Sequence, residues 1–245
     1  MPQAVSWKRR FKNFLFIDLK TVAGQASLLS VEPRLQRQWE EKSRFFRSDD
    51  ELSAAGWYDR RAAAFAEFGK IICIGVGGLY GDEEQRLHLK VKLLTGDDEV
   101  ALLTELLAII DRYPPGELTL CAHNGKEFDF PYLCRRLMIN GLPLPPALQL
   151  SGRKPWDIPH RDTMEMWQFG DKRHFIPLDL LAAVLGVPCR PLDWTGDRTS
   201  EVYYREHDWN RIEQYARDSM VMLVQVYLHM VGAPLVADEH IVLSD

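Results

Sequence analysis

The chain has 245 residues, 46% of them hydrophobic, enough to bury a substantial core, and its length suits one elaborated domain spanning residues 1–245. Its 30 basic and 35 acidic residues give a net charge of -5, which excludes the overall basic signature of a general nucleic-acid coat protein, so any nucleic-acid contact must be local. The four cysteines, Cys73, Cys121, Cys134 and Cys189, lack CxxC spacing and lie in apolar surroundings, the pattern of reduced core thiols rather than of zinc ligands or disulfides.

Met1 to Lys12 is short and basic without an apolar leader core, and no apolar run reaches the ~18 residues of a membrane span, so a soluble, cytoplasmic protein is expected. Lys8 to Lys12 reads as a solvated lead-in, with phosphate contact as the alternative. Asn13 to Ile17 is a short apolar run closed by Asp18, as in a buried strand with a polar residue at its carboxyl end, where ligands of open α/β sheets bind. Val31 to Phe46 and Leu52 to Phe65 read as helices, and Gly69 to Gly78 as a continuous apolar strand. From Arg86 to Leu93, Leu87, Leu89, Val91 and Leu93 alternate with Arg86, His88, Lys90 and Lys92, the period of a half-exposed strand.

Asp97 to Tyr113 has helical spacing and stops at Pro114-Pro-Gly. Glu117 to Ala122 is a strand, Phe128 to Asn140 a helix, His160 to Thr163 a short strand, Leu178 to Leu185 a helix, and Asp208 to Met230 a long final helix. This order predicts a mixed α/β sheet covered by helices. Trp156, Trp167 and Trp194 read as packing residues. His123 has no Cys or His partner at ligand spacing. Asp162 reads as the cap of the segment that follows it, with a role in a site as the alternative.

Three separated segments carry the chemical signal: Phe14-Leu-Phe-Ile-Asp18-Leu-Lys20, then Leu120-Cys-Ala-His-Asn124-Gly-Lys-Glu-Phe128-Asp129, then Tyr215-Ala-Arg-Asp218-Ser219. In order and spacing they resemble the three motifs of the DnaQ-like 3'-5' exonucleases of the ribonuclease H-like fold. The likeness is closest to bacterial proteins similar to the exonuclease domain of family-B DNA polymerases, and it runs from Phe14 to about Tyr227. It implies a ribonuclease H-like mixed sheet of about five strands flanked by helices. It also implies two-metal hydrolysis, in which Mg²⁺ or Mn²⁺ ions about 4 Å apart clamp the attacking and leaving oxygens of a phosphodiester.

The resemblance assigns the metals to an Asp-x-Glu pair, an Asp after the Asn motif, and an Asp four residues beyond a Tyr that orients water. Asp18, Asp129 and Tyr215 match those positions, whereas Lys20 stands for the Glu and Ser219 for the last Asp. Asn124 and Phe128 match positions facing the terminal nucleotide, where Phe128 either stacks on a base or serves as a core contact. The basic and aromatic loop Arg190 to Arg198 departs from the acidic residues usual there.

Asp218 adjoins Ser219 and is the tentative alternative ligand. Helical periodicity gives an independent view: Ile212, Tyr215, Ala216, Met222, Leu223, Val226, Tyr227 and Met230 form an apolar stripe that includes Ser219, while Asp218 falls with Arg211, Gln214, Gln225 and His229 on the polar side.

Asp18 and Lys20 share one face of a strand, so an ammonium lies where a bridging carboxylate would, and Mg²⁺ or Mn²⁺ is expected to bind weakly or not at all. Three readings remain. The first is an active exonuclease using Asp218. The second is a pseudoenzyme that binds single-stranded DNA or RNA 3' ends with weak or no hydrolysis, and the third is a scaffold for protein partners. Asn124, Asp129 and Tyr215 favour the first two, and the missing carboxylates favour the second.

Overall fold

The structure, a computed structural model, describes residues 7–46, 52–84, 86–192 and 194–244. Six strands form one mixed sheet: β1 (Phe14–Ala23), β2 (Gly69–Gly81), β3 (Leu87–Thr95), β4 (Thr119–Ala122), β5 (Arg161–Asp162) and β6 (Ile241–Ser244), in the spatial order β5-β4-β1-β2-β3-β6. β1, β2 and β3 form an antiparallel meander, and β4 joins β1, β5 joins β4 and β6 joins β3 in parallel. Nine helices accompany them among the described residues: α1 (Trp7–Arg10), α2 (Pro33–Ser43), α3 (Ala54–Arg61), α4 (Glu99–Ile110), α5 (Asp129–Ile139), α6 (Thr163–Gln168), α7 (Leu178–Val184), α8 (Thr199–Glu201) and α9 (Trp209–Met230). No helix of the described residues is long and apolar enough to cross a membrane.

The pleat of β1 divides the core. Leu15, Ile17 and Leu19 pack with α4 and α5 on one face, while Phe14 and Phe16 pack with Met220, Leu223, Val224 and Tyr227 of α9 on the other. Asp18 and Lys20 continue the α9 face, so the side chains that matter for a site project toward the last helix. Beneath α9, β2 carries Gly75 and Gly77. A Cβ at Gly77 would lie 2.8 Å from Met220 Sδ, and one at Gly75 3.2 Å from Met220 Cε. The missing side chains admit Met220 against the strand.

A separate aromatic cluster gathers Trp39, Trp57, Tyr58 and Phe68 around α2 and α3. Polar side chains cap the helices: Asp98 accepts from Ala101 N, Ser53 from Gly56 N and Asp208 from Arg211 N.

Several expectations need correction. The sheet has six strands, because four residues after α9 add an edge strand beside β3; so short and half-exposed a segment has little periodicity to detect. β1 does not stop at Ile17. Its parallel pairing with β4 ends at Phe16, yet antiparallel pairing with β2 runs on to Ala23, with a register shift between Lys20 and Thr21, so Asp18 lies mid-strand. Gln225 is not on a polar face: it is buried, donates to Val236 O at 2.7 Å and accepts from Val236 N at 3.0 Å. Trp156 does not pack in the core and is 74% exposed, whereas Trp194 is buried. The side chains of Lys8 and Arg9 and all of Asp193 lie outside the described residues.

α5 is locked to the sheet by a buried ion pair. Arg136 donates through Nε and Nη2 to Glu99 and through Nη1 to Ala66 O at 2.7 Å, while Glu99 also accepts from Ile71 N at 2.7 Å. Removing one partner strands the other charge in the interior, so Arg136→Ala is expected to lower unfolding free energy by about 3–5 kcal/mol. Urea denaturation of the two proteins measures this, and a loss below about 1 kcal/mol would show that Glu99 finds other partners.

Candidate functional site

The three motifs meet in a cleft of about 790 Å³ lined by Asp18, Lys20, His123, Asn124, Phe128, Tyr215 and Ser219, with Phe175, Leu180, Trp194 and Arg198 among the remaining walls. At its floor, Lys20 Nζ donates to Asp18 Oδ2 at 2.7 Å and to Ser219 Oγ at 2.8 Å, and lies 4.2 Å from the centre of the Tyr215 ring. Ser219 in turn hydrogen-bonds Asp18 Oδ2, with the Ala216 carbonyl at 3.2 Å as its other acceptor. A hydroxyl has one proton, and the charged oxygen is the stronger acceptor.

Lys20 is 6% exposed. Burial works against the ammonium, but Asp18 and then Tyr215 outweigh it and hold the lysine above its ordinary value. The group is a fixed cation across the whole physiological range.

Asp129 stands at the start of α5, 4% exposed, with Oδ1 accepting from Leu19 N at 3.0 Å. Burial first and the neighbouring Asp18 second push its carboxyl up to about 8, despite the Leu19 N–H and Lys20. Asn124 adopts φ +60°, a conformation that asparagine tolerates better than most residues. Its carbonyl accepts from Phe128 N at 2.9 Å, opening the turn that delivers Asp129. Phe128 packs partly against the core and against Tyr132, and also faces the cleft.

Asp162 braces this turn. Its oxygens accept from Asn124 N at 2.9 Å, Lys126 N at 3.0 Å and Met164 N at 2.9 Å, so one carboxylate fixes the Asn turn and caps α6. His123 bridges Thr163 Oγ1 and the Ile176 carbonyl, both at 2.8 Å. Burial lowers its pKa, as suits a neutral structural imidazole.

Asp218 is not in this cleft. It accepts from Gln214 Nε2 at 2.8 Å, has Arg190 Nη1 at 3.8 Å, and lines a different cavity with Arg217 and Val221. Trp194 stacks on Tyr215 with centroids 4.8 Å apart, and the Arg211 guanidinium lies 4.6 Å from the Trp194 ring. The column Lys20, Tyr215, Trp194, Arg211 thus alternates from cation through two rings to cation. Nothing in the sequence marked Trp194 or Phe175 as cleft residues, because both arrive on irregular segments without periodicity.

The donor set does not fit a pair of divalent ions. Among the described residues no three His, Cys, Asp or Glu side chains are grouped to hold a metal, and the Asp18 oxygen nearest Ser219 already binds an ammonium.

Residues 65–236 match the family model described as a predicted 3'-5' exonuclease related to the exonuclease domain of PolB. The chain belongs to this family. Among solved structures it is similar to a family B DNA polymerase from the hyperthermophilic archaeon Pyrobaculum calidifontis, with a TM-score of 0.50 and 14% identity over 89% of this chain. The chain spans about a quarter of that polymerase, 24%, and the likeness shows the fold alone. No match was found among curated proteins. The α/β sheet is thus that of a 3'-5' exonuclease-like domain of ribonuclease H-like type.

The state of Asp129 gives a pH test. Its folded-state pKa lies above the ordinary 3.8, so between 3.8 and about 8 the native protein keeps a proton that the unfolded chain has lost. Its contribution is therefore greatest in acid and declines as pH rises through that window. Asp129→Asn retains an acceptor for Leu19 N–H and removes the decline, so the variant should gain stability over the parent by an amount on the order of a few kcal/mol from pH 4 to pH 8. Urea melts across that range decide, and parallel pH profiles would show that the carboxyl ionises freely.

Proposed function

We propose that this member of the exonuclease family is a pseudoenzyme whose cleft holds the 3' end of single-stranded DNA or RNA with little or no hydrolysis. The observation that carries the reading is the Lys20 ammonium bonded to Asp18 and Ser219. In the resemblance those three positions would be metal ligands, and two dications would need the charge that Lys20 cancels. Asp18 and Asp129 with Lys20 provide a formal charge of at most -1, whereas four carboxylates would neutralise two dications.

Lys20 takes over one task of a metal, since it neutralises Asp18 and keeps the cleft floor ordered. It provides no activated water. Asn124 and Phe128 would face the terminal nucleotide, Phe128 by stacking. The reading with Asp218 as a displaced ligand has less support, because that carboxylate is engaged with Gln214 and lines another cavity.

The expected result is that a 5'-labelled single-stranded oligonucleotide binds equally well in Mg²⁺ and in excess chelator, by fluorescence anisotropy, and is not shortened. Lys20→Glu combined with Ser219→Asp should create metal-dependent shortening from the 3' end, on the order of 100-fold or more above the parent, because a two-metal clamp supplies several kcal/mol. Either change alone should do little, a strongly non-additive pair. Shortening by the unaltered protein as fast as by the double variant would sink the proposal.

A further inference from the structure

Phe175 is a large aromatic side chain that the fold leaves in water: it is 69% exposed and belongs to none of the buried apolar clusters, yet it lines the same cleft as Asp18 and Tyr215. Its neighbours on the chain are pinned. The carbonyl of His174 accepts from Gln168 Nε2 at 3.0 Å, and the carbonyl of Ile176 accepts from His123 Nε2 at 2.8 Å. Ile176 itself is 8% exposed and packs with α7 and α9. The backbone that presents Phe175 is therefore held on both sides, and one of the two clamps is a residue of the cleft.

An aromatic ring on a held backbone beside a cleft loses little conformational freedom when a flat partner stacks on it. Cations close by are largely committed to carboxylates: Arg173 pairs with Asp171 and Arg198 with Glu201. With a net charge of -5 as well, the protein offers a phosphate backbone a weak field, so ring stacking has to supply much of any affinity. Phe128 already accounts for an aromatic at the Asn124 end of the cleft, where the resemblance places the terminal nucleotide.

We propose that Phe175 is a second stacking platform, for a base upstream of the terminal nucleotide, so that the site takes a single strand rather than a lone nucleotide. The inference rests on the reading of the cleft as a nucleic-acid site. It names a binding residue outside the three motifs, and a binding mode that is tolerant of base identity.

The test uses single-stranded DNA octamers carrying one abasic position at the first, second, third or fourth nucleotide from the 3' end, with binding measured by anisotropy. For the parent protein, the abasic site at one upstream position should weaken binding on the order of 10-fold, the scale of one lost base–aromatic stack. Phe175→Ala should bind the intact octamer at that weakened level and lose nothing more at the same abasic position, whereas Phe175→Tyr should behave as the parent. Phe128→Ala should bind more weakly and still respond to the upstream abasic site.

The penalty should persist as salt is raised, since stacking releases no counterions. If Phe175→Ala stays as sensitive as the parent, or if no upstream abasic site matters to the parent, Phe175 is not a platform although the cleft still binds nucleic acid. If the parent binds no octamer at all, the reading of the cleft falls and this inference with it.

Discussion

The ammonium of Lys20 lies where β1 meets α9, and because burial strips it of water it must find its partners inside the protein. It finds three partners on two elements: a carboxylate two residues back on its own strand, and on the facing helix a hydroxyl and the face of an aromatic ring one helical turn before that hydroxyl. The strand and the helix that carry the first and third motif segments of the sequence are thereby joined through one charge. Trp194 extends the joint to the loop before α8 by stacking on the same ring, and Arg211 closes the far side.

The sequence disclosed those parts of the fold whose physics is local. The alternation of Leu87, Leu89 and Val91 marks β3, and the helical stripe through Ile212, Tyr215 and Leu223 marks α9, because each pattern follows from burying one face. It erred where burial is two-sided. Gln225 reads as polar by residue type, yet α9 is covered there by the segment around Val236, and a glutamine satisfies that segment's backbone with both ends of its amide. β6 was invisible because four half-exposed residues carry no pattern, and the full length of β1 because Asp18 and Lys20 interrupt its apolar run.

For the site, motif spacing brought Asp18, Lys20, Asn124, Phe128, Tyr215 and Ser219 to one cleft, with Asp129 beside it. What spacing could not provide was the bracing. Asp162 reads as a helix cap, and it is one, but its two oxygens also hold the Asn124 turn from a strand 38 residues away in sequence. His123 likewise looks unremarkable in sequence and proves to be the tie between β4 and the segment before α7. Contacts of this kind depend on which loops the sheet order brings together, and the β5-β4-β1 order is a tertiary outcome.

Met220 follows Ser219 and is seated over Gly75 and Gly77, where the strand has no side chains of its own. A key in a slot resists turning. Rotating α9 enough to swing Asp218 toward Asp18 would lift the Met220 thioether out of that recess and press it on neighbouring backbone, at the cost of buried contact on both sides. The azimuth of the last helix is therefore set by shape at Met220, one residue beyond the position whose chemistry is at stake, and charge at residue 218 has no leverage over it. A side chain added at Gly77 would collide with the Met220 thioether, so the recess holds the helix by shape where the Lys20 joint holds it by charge.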